Sequence, residues 1–479
     1  FCAMGLKKQF FLILIVLLQV VVGRTQVRWT LEACINQAIE KSLQIQSGAL
    51  AVKNSEINTM QATHARYPNF NASTNVGWNF GRTIDPTRNE FVTETFFNNG
   101  VSLSSSVLVY NANRINNTIK QSGLENRAAG QDLEQLKRDV ALNVSTFYLN
   151  ILFAKESIAN AQKQIAQTRN QQALLEKQIL VGNRPENDRM ELEAQLATNE
   201  QTLVEAENQL SIGVLNMKQL LRMSPDEPFD IVVPDALQPT TDPDLLPFNT
   251  LLASALGTQP GVAAREWQWK SAVLGEKIAA SQLYPSLAVG GNLRSNYSNK
   301  GFRISGYDSQ VINQSVFING QEVTVGFPQN IPQFEETPYA NQFRDNLSYG
   351  VFVNMSIPIY NNYSARLGVQ RAKINRESAL LNFEQAKESL KMTAGQALND
   401  AKVAKARFNA AEKARNAQTN LYTNALKRFD NGGLNTFELT RLKTQLESAE
   451  ISYLMARYEY IFRTRVLDFY LGKGISLSN

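Results

Sequence analysis

The sequence predicts a mostly α-helical chain that also carries strands of a membrane β-barrel, with one plan repeated twice. Three observations carry this. Residues Phe70 to Phe80 and Leu347 to Tyr360 alternate between apolar and polar side chains, so each as a strand has one apolar face. Ser364 to Phe429 contains no proline and as a helix reaches on the order of 100 Å at ~1.5 Å per residue. Landmarks of the first half recur in the second at constant offsets, the signature of an internal repeat.

At the N-terminus, Lys7 and Lys8 precede the apolar run Phe10 to Val22, which is short for a transmembrane helix and is followed by small and polar residues. This predicts a signal peptide over residues 1–25 and an exported chain. Without Lys7, Lys8 and Arg24, the formal charge of +5 falls to +2, which calls for no nucleic acid or other anionic partner. Cys34 is then the only cysteine, so neither a disulfide framework nor a thiolate metal site is expected.

The first repeat spans 26–223. Leu31, Ile35, Ala38, Ile39, Ser42 and Ile45 keep helical spacing, and the expected helix ends before Pro68. A hairpin follows over about 69–110. Its first strand sets Phe70, Ala72, Thr74, Val76, Trp78 and Phe80 against Asn71, Ser73, Asn75, Gly77 and Asn79, and its second alternates from Val101 to Val109 across a loop containing Asp85-Pro86. Beyond it, Leu133, Leu136, Val140, Val144, Phe147, Ile151, Ala154, Ile158, Ala161 and Ile165 advance by threes and fours, which is coiled-coil spacing. Gly182, Asn183, Arg184 and Pro185 break the run. Gly suits a left-handed cap and Pro the first turn of the next helix, so two antiparallel helices meet at a tip near 182.

Six prolines between Ser224 and Pro247 mark a linker over 224–247 that holds at most a short strand at Asp230 to Val233. The second repeat spans 248–479. Ala38-Ile39 and Tyr67-Pro68 recur as Ala255-Leu256 and Tyr284-Pro285, offset by 217; Tyr110-Asn111, Gly182 and Gln195-Leu196 recur as Tyr360-Asn361, Gly432 and Gln445-Leu446, offset by 250. The extra 33 residues fall in the outer loop of the second hairpin (about 286–360), roughly Asn299 to Asn346, which is polar, rich in Asn and Gln, and has room for small strands of its own. A second tip, with Gly432 and Gly433, lies near 432. Asn435 with Glu438 three residues on gives a capping-box-like start to the last helix.

Four strands cannot close a membrane barrel, and open edges in lipid leave backbone groups unpaired at several kcal/mol each. The sequence therefore predicts an oligomer. The Trp29-Thr30-Leu31-Glu32 opening, the twofold repeat and the two glycine tips make the whole mature chain resemble the outer membrane efflux protein (TolC-like) family of outer membrane factors. The resemblance implies a homotrimer with one twelve-stranded β-barrel and a periplasmic α-barrel, set in outer membrane lipid. It also implies tips that dock a periplasmic adaptor (membrane fusion) protein and an inner-membrane pump such as an RND or ABC type. The function implied is the exit duct of a tripartite efflux or type I secretion system, passing small molecules or proteins.

The same resemblance assigns a periplasmic aperture to the tips. Asp188 and Glu438, six residues after their glycines, match acidic positions, and Phe429 matches an aromatic one. Arg184 follows Gly182 by two, while Leu434 stands at the equivalent place in the second copy. Nine after the glycines stand Glu191 and Arg441, so one expected acidic ring member is replaced by a base. The expectation is that Arg184 or Arg441 pairs with Asp188, Glu191 or Glu438 across neighbouring helices and holds the entrance closed. The turns Gly182, Asn183, Pro185, Gly432 and Gly433 are the expected adaptor-docking points. The same charges also suit the starts of solvated helices.

No nucleophile elbow, phosphate loop or catalytic carboxylate pair stands out, and His64, the only histidine, has no ligand at metal spacing; neither an enzyme nor a cofactor or metal is predicted. Trp78, Phe80 and Tyr297 are candidates for an aromatic girdle. The rival reading is a secreted coiled-coil scaffold or adhesin with soluble hairpins.

Overall fold

A helix pair, a set of strands and a pair of long helices follow one another twice. The computed structural model describes residues 28–473 apart from 85–88, 90, 94, 183 and 234–237. The predicted signal peptide, the Asp85-Pro86 turn and Asn183 lie outside the described residues. The elements are β1 (Arg28–Trp29), α1 (Leu31–Lys41), α2 (Leu43–His64), β2 (Asn69–Asn79), β3 (Thr83–Ile84), β4 (Phe91–Val92), β5 (Phe96–Tyr110), α3 (Arg114–Leu180), α4 (Asn187–Leu221) and β6 (Asp230–Ile231). The second half supplies α5 (Phe248–Thr258), α6 (Pro260–Ser281), β7 (Ser286–Ser298), β8 (Phe302–Ile318), β9 (Gln321–Glu336), α7 (Tyr339–Asp345), β10 (Ser348–Ser356), α8 (Ser364–Asp430) and α9 (Thr436–Tyr470).

The repeat holds to the residue in places. α1 and α2 begin and end 217 positions before α5 and α6, and α3 begins and ends 250 before α8. Both α3 and α8 have 67 residues, and both α4 and α9 have 35. The single helix expected up to Pro68 is instead two, broken at Ser42, whose ψ of 121° is extended and whose hydroxyl accepts from the Ile45 amide. The second copy breaks at Gln259, because the residue before a proline is pushed out of the helical region and Pro260 suits a first helical turn.

The chain divides into a helical unit (1–56, 124–270 and 377–479) and a strand unit (57–123 and 271–376). In the helical unit the expected heptad face is the core: Val140, Val144, Ile151 and Ala154 of α3 are buried, the first three in one cluster with Leu31, Cys34 and Ala38 of α1 and Met217 and Leu221 of α4. Each fully buried aliphatic of this size contributes about 1.5–3 kcal/mol. The second copy repeats the positions, with smaller residues on α8: Leu251, Ala394, Ala401 and Leu467 stand where Cys34, Val144, Ile151 and Met217 do. β1 and β6 pair in parallel, with Trp29 stacked on Phe229 at 6.2 Å. Asp230 anchors this corner: it pairs with Lys155 and with Arg28 (3.4 Å), and accepts from the Ile231 amide at 2.9 Å.

The strand unit holds a four-stranded antiparallel sheet in the order β10-β7-β5-β2. Its register keeps every apolar row on one side. Phe70, Ala72, Thr74, Val76 and Trp78 face Ser105, Leu103, Val101, Asn99 and Phe97, while Tyr349, Val351, Val353 and Met355 face Leu293, Gly291, Val289 and Leu287. The opposite side is mostly Asn, Ser and Gly, tied by Ser73–Ser102 (2.7 Å) and Asn79–Asn98 (3.0 Å). A one-residue slip would exchange the faces, so this register is strongly specified wherever one side is kept from water. The sheet is open, with β2 and β10 as edges.

One boundary needs correction, and one pair of strands is longer than expected. The last strand of this sheet ends at Ser356, not Tyr360, because its partner β7 starts after Pro285 and Pro358 has no amide to donate. The polar outer loop is mostly a long hairpin, β8 with β9, closed by Asn319 and Gly320 at φ 54° and 80°, the left-handed values of a type I′ turn. Pro328 and Pro332 fit because this two-stranded ribbon leaves one side of β9 free of a ladder.

Candidate functional site

The two helix tips end by backbone chemistry that the glycines permit. Gly182 (φ 75°) donates to the Ile179 carbonyl at 2.9 Å. Gly432 (φ 72°) donates to Phe429 at 3.0 Å and Gly433 to Arg428 at 2.8 Å, the paired bonds of a Schellman motif. Pro185 sits in the turn before α4 and accepts from the Asp188 amide at 3.1 Å. Asn435 caps α9 by accepting from the Glu438 amide at 2.8 Å.

Arg184 joins the tips. Its guanidinium donates to the Leu434 carbonyl (3.2 and 3.3 Å) and to the Phe429 carbonyl (3.2 Å), lies 4.1 Å over the Phe429 ring, and stands 3.9 Å from the Asp188 carboxylate. The side chains of Arg184 and Asp188 are only 13% and 15% exposed. Asp188 accepts from the hydroxyl of Thr436, itself buried at the first turn of α9. The cation thus sits on a last-turn carbonyl of α8, that of Phe429, where the helix dipole favours positive charge, and on the Leu434 carbonyl of the following turn, while the anion sits at the start of α4, where the dipole favours negative charge. Leu434 contributes through its carbonyl, which explains how an apolar residue can stand opposite Arg184.

The other expected members are arranged differently. Arg441 does not reach across helices: it pairs with Glu438 of its own helix, one turn back, and its hydrogen bond holds the Glu438 carboxyl below the usual range. The reason is spacing, since i and i+3 share a helix face. Glu191 lines a hollow of 640 Å³ with Phe437, Thr440 and Arg441. Burial, and then the nearby Asp188 charge, raise its pKa.

Deeper between the helices lies a polar network that the sequence reading missed. Lys443, 2% exposed, donates to the Thr168 hydroxyl (2.6 Å) and the Gln171 carbonyl oxygen (3.0 Å), with the Glu447 carboxylate 3.9 Å away. Asn199 donates to the same Thr168 hydroxyl (3.0 Å), which in turn donates to the Gln164 carbonyl (2.9 Å), so that hydroxyl is fully satisfied. Gln195 donates to Glu447 (3.0 Å), and Gln171 donates to Tyr422 of α8 (2.5 Å). One network therefore ties α3, α4, α8 and α9. Burial pushes the Lys443 pKa down and the Glu447 pKa up, each partly offset by the other's charge. The signal for it was Thr168, a polar residue three after Ile165 on the heptad seam.

In the strand unit, Trp78, Phe97, Tyr297, Tyr339 and Phe343 form a continuous row on the apolar face, with successive ring centroids 5.0, 6.1, 4.6 and 4.8 Å apart. Two of the expected girdle residues, Trp78 and Tyr297, are in it. His64 contacts Tyr67 at 5.7 Å, and among the described residues no group of side chains could hold a metal ion.

The sequence model of the outer membrane efflux protein family matches residues 34–221 and 251–473. No curated protein matches the chain. Among solved structures, CusC, described for conformational changes accompanying folding and transmembrane channel formation, is similar at 16% identity and a TM-score of 0.75, covering 94% of this chain and 93% of its own. The outer membrane protein VceC of Vibrio cholerae is similar at 12% identity and a TM-score of 0.72, covering 93% and 96%. The CmeC outer membrane channel of Campylobacter jejuni is similar at 14% and 0.68, covering 94% and 87%. These likenesses concern the fold, whereas the sequence match takes in both repeats, and by it the chain belongs to the outer membrane efflux protein family.

Proposed function

We propose that this protein is a channel through the outer membrane, the exit duct of an efflux assembly for small molecules. One observation carries the reading: in all four strands the register puts a mainly apolar row on one side and a row mostly of Asn, Ser and Gly on the other, and both sheet edges stay open. In hydrocarbon each unpaired edge group costs several kcal/mol, so the edges β2 and β10 must meet those of other copies. Three copies make a twelve-stranded barrel with lipid outside and a wet interior. The helices α3 and α8, each about 100 Å long at ~1.5 Å per residue, are long enough to line a periplasmic conduit.

In this reading residues 1–25 direct export. The turns with Gly182, Asn183, Pro185, Gly432 and Gly433 present the tips to a periplasmic adaptor, which joins the duct to an inner-membrane pump of RND or ABC type. Arg184, Asp188 and Phe429 clasp the two tips of one chain and resist their separation, while Glu191, Glu438 and Arg441 set the charge of the entrance. The test is insertion of the purified protein into planar lipid bilayers. Discrete conductance steps are expected; a membrane left insulating across protein concentrations that give full incorporation contradicts the channel and favours a scaffold.

A further inference from the structure

The four-stranded sheet carries a single charged side chain, Arg294 of β7. Its place follows from the register. Arg294 is paired with Ser102 of β5 and Ser348 of β10, and so lies in the polar row with Asn292 and Asn296 rather than in the apolar row of Leu293. It is exposed, its Nε donates to the Ser348 hydroxyl at 3.1 Å, and among the described residues no carboxylate pairs with it. It lines a hollow of 550 Å³ on that side with Asn75, Asn98, Gly100, Ser102 and Ser348. Gly100 keeps the hollow's floor low: a Cβ there would come within 2.4 Å of the Asn75 amide oxygen.

We propose that Arg294 is the residue by which the barrel discriminates between solutes, favouring small anions and anionic organic compounds over cations. The inference rests on the channel reading, in which the polar row faces the pore. A guanidinium that has no carboxylate partner among the described residues, on a sheet whose four strands carry no other charge, sets the sign of the local potential. Three symmetry-related copies about 10 Å from the axis, screened at ~0.1 M salt, change the anion-to-cation permeability ratio on the order of fivefold. The Ser348 bond alone would give Arg294 a packing role, with no effect on ion preference.

The experiment measures the zero-current potential of the full-length protein in planar bilayers under a KCl gradient, for the unaltered chain and for Arg294→Gln, Arg294→Lys and Arg294→Glu. The expected result is an anion-to-cation ratio that falls roughly fivefold in Arg294→Gln, holds in Arg294→Lys, and falls further in Arg294→Glu. Channels of normal conductance whose potential is the same in Arg294→Gln and Arg294→Glu as in the unaltered chain overturn the inference and leave the channel reading intact. An unaltered chain that never conducts overturns both. Arg294→Cys, treated with a cationic or anionic thiosulfonate while already conducting, separates charge from folding: opposite shifts are expected, and identical currents after both reagents refute it. The buried Cys34 stays out of reach of either reagent.

Discussion

Replacing Arg184 by Ser removes three hydrogen bonds to two carbonyls and the ring contact at 4.1 Å. Charge-assisted hydrogen bonds contribute about 1.5–3 kcal/mol each and a cation–π contact ~0.5–2. The freed carbonyls lie at an exposed tip and regain water, and Asp188 keeps its Thr436 partner, so the net loss is about 2–4 kcal/mol. If the clasp holds the entrance closed, that loss shifts its closed-to-open ratio by roughly 30- to 1,000-fold. Single-channel recording in planar bilayers should therefore show a larger conductance or a higher open probability for Arg184→Ser. Arg184→Lys should fall between, because a point charge cannot span two carbonyls and cover a ring at once. Arg441→Ser is the control: that side chain is exposed and spends its charge on Glu438 of its own helix, so its loss should leave the conductance near that of the unaltered chain. Equal effects from Arg184→Ser and Arg441→Ser, or none from Arg184→Ser, would refute the clasp.

Further outcomes follow from the rest of the molecule. Lys443→Met leaves Glu447 buried without its cation and should cost about 3 kcal/mol in denaturant unfolding, while Lys443→Met with Glu447→Leu should recover most of it. Gly290→Ala should lower the yield of folded protein in outer membranes, since the new Cβ would lie 2.5 Å from the Phe352 ring and 2.8 Å from the Ser105 carbonyl; normal yield counts against the close packing of that ring on the strand. Burial raises the Asp230 pKa, but the bonds from Lys155 and the Ile231 amide and the charges of Lys155 and Arg28 outweigh it, so the net value is lowered. The stability it contributes is present above the unfolded value of about 4 and is lost as pH falls through the lower folded value. Thermal unfolding between pH 6 and 3 should show a steeper acid loss in the unaltered chain than in Asp230→Asn.

Much of the architecture was legible because it rests on local periodicity. The seam from Leu133 to Ile165 and the alternation from Phe70 to Phe80 name their buried or apolar sides directly, and Gly182 and Gly432 mark turns that need positive φ. What stayed hidden depends on pairings far apart in sequence. The break at Ser42 carries no proline or glycine. The length of the β8–β9 ribbon was masked by Pro328 and Pro332, although Asn319-Gly320 was a usable hairpin signal. Arg184 finds its acceptors on the backbone of residues about 250 positions away, which no side-chain pattern reveals. Lys443 and Glu447 read as surface charges until α3 and α4 cover them. The isolation of Arg294 appears only once the register sorts the strand faces.

The central claim is that the open sheet closes only with other copies of the chain. Native mass spectrometry of the mature protein extracted from outer membranes in mild detergent tests it most directly. The account predicts a trimer, the number of copies that turns four strands into twelve. A monomer, or a dimer that is soluble without detergent, would contradict it.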